Sequence, residues 1–483
     1  MPSLNLAELL AELAPSLRVE GAQDIPICNV CIDSRQAGCG SLFVALRGER
    51  SDGHDYVGAA FQAGATVALV ERPTAAAAVI DTVQPGAPAS VEPPVMVVVP
   101  DALRALQLVA RGRRLARPDL RVLGVTGSVG KTTTKEAIAF VLAQHYRTLK
   151  NAGNFNNEIG LPLTLMQLEN HEYAVLEMGM YTLGEIRALC ALALPQIGVV
   201  TNVGPVHLER LGTVERVADA KAELVEALPE DGVAVLNGDD PLVRGMRART
   251  RASVVTFGLD SQNDVWADAI VTRGLEGTHF TVHVREMPAL RLRGGSYPAQ
   301  LATLGSHTVM AALPAIAVGL MAGLTWEEIQ AGLLAQGYGT RLVPRAGLGG
   351  VTLLDDTYNA SPASVLAALG VLAEAPGRRL AVLGDMLELG TYEEQGHRLV
   401  GERCAEVVDG LIAVGTRARM IADAARHAAR NGLSADAIWA VDDNASAIQI
   451  LRECVQPGDT VLVKGSRSMG MEAIVAAFEE RTA

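Results

Sequence analysis

Residues 124–134 read "GVTGSVGKTTT", straddling the end of an apolar run, "RVLGV" (121–125), and the start of a helical pattern, "KEAIAFVLAQ" (135–144). That order gives a strand, a tight loop and a helix N-terminus. Such a loop can aim backbone N–H groups and the positive end of a helix dipole at a polyphosphate. Lys131 adds a mobile cation, and the Thr132 hydroxyl suits Mg²⁺. The strict pattern G-x-x-x-x-G-K-[ST] would put glycine where Val125 stands. The variant T-G-x-x-G-K-T remains, built from Thr126, Gly127, Ser128, Val129, Gly130, Lys131 and Thr132, with Thr133 following. A plain strand-to-helix turn has no need of that set, so the loop is read as a nucleotide-phosphate site.

Around this loop, strands alternate with helical patterns: "YAVLEMG" (173–179), "IGVVTNVG" (197–204) and "GVAVLNGDD" (232–240). Alternation of that kind predicts a parallel, doubly wound sheet with ligands at its carboxyl edge. The runs "THFTVHV" (278–284) and "ALRLR" (289–293) have period two and predict an antiparallel insertion. A second alternation begins after about residue 337. Ahead of the loop, "LFVAL" and "TVALVE" form a smaller unit that "VMVVV" (95–99) closes. The Pro/Ala stretch at 72–94 between them reads as a surface loop. The expected domains are 1–99, 100–336 and 337–483, in a three-domain α/β chain whose last domain is Rossmann-like.

At 483 residues the chain is too long for one ordinary core. Apolar residues make up 49% and charged residues 20%, a globular composition, and the net charge of −13 with no long basic block argues against nucleic acid or anionic membrane as partner. The opening "MPSLNLAELLAELAPSL" reads as an amphipathic helix rather than an export signal. "VMAALPAIAVGLMAGL" (309–324) is short, with one proline and two glycines, and reads as buried helix. A cytoplasmic location with six reduced cysteines is expected. Cys28 and Cys31 form a lone C-x-x-C with Cys39 nearby, read as ordinary buried thiols rather than a zinc site.

The segment 213–232 predicts a helix capped by Thr213, with the apolar stripe Val214, Val217, Lys221, Leu224, Val225, Leu228. Lys221 sits in the middle of the face meant for burial. Its amine either snorkels to the rim or, if buried, becomes neutral and able to add CO₂ as a carbamate. Glu177 and His207 fall just past two strands, where a carboxylate or imidazole can cap a loop or serve a metal. With Thr132 and Lys221 they make a candidate metal set, the oxygens being the better Mg²⁺ ligands.

Further stretches make the pattern specific: "DSRQAGCGSLFVALRGERSDGHDY" (33–56), "NFNNEIGLPLTL" (154–165), "NVGPVHLE" (202–209), "AKAE" (220–223), "DDTYNASP" (355–362), "VLGDMLELG" (382–390) and "VKGSRSMGME" (463–472). With these the chain resembles the Mur ligase family, ATP-dependent amide-forming enzymes of peptidoglycan precursor synthesis, over nearly its whole length. The resemblance implies ATP and two Mg²⁺ as cofactors and a carbamate on Lys221. It also implies roles for single residues. Lys131 and Thr132 would hold phosphate and metal, and Glu177 and His207 the metals. Ser34, Arg35 and parts of "RGERSDGH" would lie near a UDP moiety, and Asn156 and Asn157 would face a muramoyl-peptide. Arg341 and Asp356 would close over ATP from the third domain. Lys464, Ser466 and Arg467 are candidates for the incoming amine. The asparagine-rich run and the "KGSRSMGME" end resemble the branch that joins D-alanyl-D-alanine to a UDP-N-acetylmuramoyl-tripeptide, and no Asp-Asn-Pro-Arg motif is present. A monomer acting on small molecules is expected.

Departures from the family pattern lie in "GSHTVM" (305–310): His307 stands, but Thr308 and Ala311 replace two asparagines that help read adenine. Weaker purine discrimination is expected. Cys39 and Ser361 are smaller departures. A folylpolyglutamate synthase-like ligase and a partner-driven P-loop NTPase remain as alternatives at this stage.

Overall fold

Four sheets carry the apolar runs. The computed structural model describes residues 4–48, 51–74, 77–83, 90–272, 277–302, 308–335, 342–428 and 433–480. A short antiparallel pair, β1 (Leu4–Asn5) and β2 (Pro26–Ile27), ties the N-terminal helix Leu6–Leu13 to the chain behind it. The first larger sheet is β3 (Asn29–Cys31), β4 (Ser41–Val44), β5 (Ala65–Val70), β6 (Ala78–Asp81) and β7 (Val95–Val98), in the order β3-β4-β5-β7-β6 and parallel throughout. The strand β6 lies inside the stretch read as a surface loop. Its "AVID" run has enough β-branched character to add an edge strand beside β7, which proline and alanine counting missed. Of the three neighbouring cysteines only Cys31 is buried; Cys28 and Cys39 are exposed, contrary to the expectation.

The central sheet holds β8 (Arg121–Thr126), β9 (Thr148–Lys150), β10 (Tyr173–Glu177), β11 (Ile197–Val200), β12 (Val233–Asn237), β13 (Ser253–Gly258), β14 (Val265–Thr272), β15 (Thr278–Val284) and β16 (Gly295–Leu301). Their order is β16-β15-β14-β13-β12-β11-β8-β10-β9, parallel from β9 to β14 and antiparallel among β14, β15 and β16. The period-two segment is antiparallel, as its pattern predicts, and extends this sheet. "ALRLR" is not a strand: Pro288–Leu290 makes a 3₁₀ turn, and the third antiparallel strand starts at Gly295. The chain leaves β8 first to one side, toward β9 and β10, and then crosses to β11 on the other. A crevice opens at such a reversal of strand order.

The third sheet is β17 (Val343–Gly347), β18 (Val351–Asp356), β19 (Arg379–Gly384), β20 (Gly410–Val414), β21 (Ile438–Val441) and β22 (Thr460–Lys464), ordered β17-β18-β22-β19-β20-β21, with only β17 antiparallel. The apolar segment read as buried helix is the helix Val309–Ala322, packed on the helix that follows the phosphate loop. No helix among the described residues is long and apolar enough to cross a membrane.

Candidate active site

The site begins with how close a helix can come to a sheet. Gly124 in β8 and Gly198 in β11 face the helix Val214–Glu226, and a Cβ on either would meet the Leu224 side chain at 2.6 and 3.1 Å. The missing side chains let that helix settle onto β8 and β11. Thr213 caps it, accepting from the Arg216 N–H at 3.3 Å, as its sequence predicts. Lys221, one turn before Leu224, is 2% exposed. Glu223 on the same helix is buried as well, and its carboxylate accepts from the Gly184 and Arg187 N–H groups at 2.6 and 3.0 Å. It caps the helix Glu185–Ala193, whose own N-cap, Gly184, has no side chain to do so. The two charged residues of "AKAE" thus have different fates. Glu223 is saturated by backbone donors. Lys221 makes no ion pair among the described residues, and burial, then the charge of Lys131, drives its pKa well below the ordinary lysine value.

Register places the rest. Glu177 of β10 lies opposite Val125 of β8, and Val200 of β11 opposite Thr126. The phosphate loop, Glu177 and the loop 201–207 therefore leave three adjacent strands at one edge. Gly127 approaches Thr201 so closely that a Cβ would lie 1.8 Å from its Oγ1, and Gly130 has φ +83° as N-cap of the helix Lys131–Leu142. Both positions need glycine. No side chain caps this helix, so its N-terminal dipole is presented to the loop. Lys131 folds back over the loop, donating to the Gly127 and Ser128 carbonyls at 2.9 and 3.3 Å.

The loop is less open than its motif suggests. The Ser128 N–H goes to the Asn202 carbonyl at 2.9 Å and the Val129 N–H to Asn202 Oδ1 at 2.8 Å. The Val129 carbonyl accepts from Thr201 Oγ1 and Asn202 Nδ2 at 2.7 and 2.9 Å. Thr126, expected to contact nucleotide, is buried, and its hydroxyl donates to the Met178 carbonyl at 2.9 Å. It ties β8 to the segment after β10, and its side chain takes no part in a phosphate cradle. Lys131, Thr132 and Thr133 at the helix start are the loop's remaining candidates to meet an anion.

Glu177 is 2% exposed. Its Oε1 accepts from Asn156 Nδ2 at 2.8 Å, while Oε2 is buried with no hydrogen-bond partner among the described residues. Its backbone is gripped on both sides by Asn151, whose Oδ1 accepts the Glu177 N–H at 2.9 Å and whose Nδ2 donates to the Glu177 carbonyl at 3.0 Å. Asn151 is wholly buried, and its own carbonyl takes the ammonium of Lys135, also wholly buried, at 2.7 Å. An orphaned carboxylate oxygen, at the same sheet edge as the loop that carries Thr132, is a hard-oxygen ligand that fits Mg²⁺. No cluster of three or more His, Cys, Asp or Glu side chains that could hold a metal occurs among the described residues. A cation here would need phosphate and water oxygens to complete its shell.

His207 has φ +55° and stands at the head of the short helix Leu208–Leu211. Its pKa is lowered to about 4 by burial first, then by Lys131, Lys221 and Arg210, so the ring is neutral at pH 7. Those causes also show that the two lysines and the imidazole converge. Its Nδ1 lies 2.9 Å from Glu388 Oε2 without the alignment of a hydrogen bond. Glu388 belongs to the third domain and is itself at φ +63°. Beside it, Gly390 comes so near Glu209 that a Cβ would lie 2.9 Å from the Glu209 nitrogen. The turn 387–390 thus brings the third domain to the central site, and the quoted "LELG" was its only trace in the sequence.

The remaining candidates are dispersed. Ser34 and Arg35 form a 3₁₀ turn of the first domain in which Arg35 grips Asp33 through Nε and Nη2. In "SDGHDY", His54 is wholly enclosed, with Nδ1 2.6 Å from Asp52 and Nε2 accepting the Glu71 N–H at 2.8 Å. It locks the first domain together rather than meeting a ligand. Asn157 Oδ1 accepts the Gly160 N–H at 2.9 Å. Lys464, expected to meet the incoming amine substrate, is buried and bound to Asp356 at 2.6 Å and to the Asn359 carbonyl at 2.8 Å. That pairing also engages Asp356, expected to close over ATP from the third domain. Ser466 is buried, its hydroxyl accepting the Leu387 N–H at 2.9 Å, whereas the Arg467 side chain is 65% exposed. His307 and Arg341 lie outside the described residues.

Residues 26–114 match the Mur ligase family catalytic domain, residues 125–319 the Mur ligase middle domain, and residues 340–467 the Mur ligase glutamate ligase domain. The UDP-N-acetylmuramoyl-tripeptide–D-alanyl-D-alanine ligase of Bacillus subtilis (strain 168) is 38% identical over 477 residues, 98% of this chain and 96% of its own. The solved UDP-N-acetylmuramoylalanyl-D-glutamyl-2,6-diaminopimelate–D-alanyl-D-alanyl ligase of Acinetobacter baumannii superposes with a TM-score of 0.79 at 30% identity, covering 99% of this chain and 98% of that one. The MurF ligase of Thermotoga maritima, solved in complex with ADP, gives 0.77 at 28% identity over 94% and 97%. The chain belongs to the Mur ligase family.

Proposed function

We propose that this chain is an ATP-dependent ligase that joins D-alanyl-D-alanine to a UDP-N-acetylmuramoyl-tripeptide in peptidoglycan precursor synthesis. The observation that carries the reading is the meeting of the phosphate loop, Glu177, His207 and Lys221 at one sheet edge, with the third domain reaching in through Glu388. Relatives of that activity match along essentially the whole chain.

An amide does not form spontaneously from a carboxylate in water. The terminal carboxylate of the tripeptide attacks the γ-phosphorus of ATP, giving an acyl phosphate and ADP. The neutral amine of the dipeptide then attacks the acyl carbon, its nitrogen gives up one proton to solvent, and the tetrahedral adduct expels phosphate together with one former carboxylate oxygen. Lys131 and the N-terminus of the helix Lys131–Leu142 hold the phosphates in line. Thr132, Glu177 and His207 would hold two Mg²⁺, which supply charge neutralisation on the transferring phosphoryl group. Lys221 would join them as a carbamate, because a buried neutral amine can take up CO₂ whereas an ammonium cannot. Asn156 fixes one oxygen of Glu177 and leaves the other facing the site. Contact between the turn 387–390 and the loop carrying His207 excludes water from the acyl phosphate.

The test is ADP release measured with the tripeptide, the dipeptide, both or neither. Release that needs both, with one ligated product per ADP, is expected. Equal release without them would favour a partner-driven NTPase instead.

A further inference from the structure

A groove of about 390 Å³ opens beside Glu177 and is used by none of the groups above. Its mouth is formed by Asn157 and Gly179. Gly179 donates its N–H to the Asn156 carbonyl at 2.9 Å, so the mouth is one residue from the amide that orients Glu177. From there the groove runs between the helices Ala102–Leu115 and Glu185–Ala193, down to Leu192. The eight residues from Glu185 to Leu192 span roughly 10 Å along a helix. Its lining is apolar at Leu108, Ala188 and Leu192 and charged at Arg104, Arg111, Glu158 and Glu185.

Two of these charges are already engaged. Glu185 accepts from the Tyr181 N–H at 2.7 Å and the Thr182 hydroxyl at 2.8 Å, and Arg111 Nε donates to the Ala191 carbonyl at 3.1 Å. The Arg104 guanidinium and the Glu158 carboxylate have no hydrogen bond or ion pair among the described residues. An apolar trough walled by one uncommitted cation and one uncommitted anion fits an alkyl chain that ends in both charges.

Resting on the ligase reading, we propose that this groove receives the side chain of the tripeptide's third residue and that the side chain ends in an amino-acid group, as in diaminopimelate. The methylenes lie on Leu108 and Ala188, Glu158 takes the ammonium, and Arg104 takes the distal carboxylate as a charge-assisted pair. The activated carboxylate stays at the mouth, next to Glu177. Arg104 is thereby a specificity residue and touches no reacting atom.

The experiment compares UDP-muramoyl-tripeptides ending in diaminopimelate and in lysine, which lacks the distal carboxylate, with wild-type protein, Arg104→Ala, Glu158→Gln and Ala188→Phe. Arg104 and Ala188 are on exposed helix faces, so these variants keep the fold. Arg104→Ala should raise KM for the diaminopimelate substrate about tenfold, the size expected for one charged hydrogen bond, and leave kcat and the lysine substrate unchanged. Glu158→Gln and Ala188→Phe should raise KM for both. An equal rise for both substrates in Arg104→Ala would mean that it reads the glutamyl carboxylate they share, and would overturn the proposal, as would no rise at all. Product from wild-type protein with either substrate upholds the ligase reading independently; no product with either overturns both.

Discussion

Lys221 in the central domain and Lys464 in the third domain are each 2% exposed, and the protein treats them in opposite ways. Lys464 ends β22 beside Asp356 of β18, its register partner, and its ammonium is held by that carboxylate and by a carbonyl. Lys221 has no carboxylate partner among the described residues, and the charge that acts on it is that of another lysine, Lys131. A buried cation with a partner is a structural element; a buried amine without one has its charged form disfavoured. The difference separates a residue that holds a domain together from the one we propose for chemistry.

The sharpest way to break this comparison is chemical. Lys221→Ala should lower the ligation rate by about a thousandfold or more, with part of it restored by an added short carboxylic acid that replaces the carbamate oxygens. Full activity in that variant would end the carbamate reading. Next in size, Glu177→Gln should cost about a hundredfold and raise the Mg²⁺ concentration needed for half-maximal rate, measured by metal titration.

Stability sharpens the same contrast through a single substitution made twice. Lys464→Met leaves the Asp356 carboxylate buried without its partner and should cost about 3–5 kcal/mol in a denaturant titration. Lys221→Met removes an unpaired buried amine at nearly constant volume and should leave stability unchanged or raised. Equal losses at both sites would contradict the account.

A smaller effect concerns pH. His207 has its folded pKa lowered from 6.5 to about 4, so between those values the unfolded chain binds a proton that the folded chain does not. Its contribution is present above pH 6.5 and is lost as pH falls toward 4. His207→Gln should flatten that acid limb of the stability curve. Smallest of all, the loss of two amides at Thr308 and Ala311 should leave ATP preferred over other purine triphosphates by less than about tenfold in a competition assay.

What was legible in the sequence was local. The phosphate loop announces itself because glycine, lysine and threonine must occur within a few residues, and Lys221 stands out because a 3.6-residue stripe makes a charge conspicuous. Glu177 could be placed because strand ends are where these sheets keep ligands. Pairings between distant segments left no such mark. Nothing near Lys464 reveals that Asp356, 108 residues earlier, will be its register partner. The Glu388 approach to His207 depends on how the third domain docks, and the capture of Ser128 and Val129 amides by Asn202 on a loop that arrives from β11. Nothing in the sequence marks Asn151, although its burial makes it the clamp on Glu177. The strand β6 was hidden by flanking prolines and alanines, whose counts describe the ends of the segment and not its middle.

The acyl phosphate step can be followed by one oxygen atom. With the terminal carboxylate of the tripeptide labelled with ¹⁸O, the account predicts that each ligation leaves one labelled oxygen in the released inorganic phosphate and one in the new amide, read by mass spectrometry. Phosphate that carries no label while ligated product accumulates would show that the carboxylate never joined to phosphorus, and would contradict the mechanism at its root.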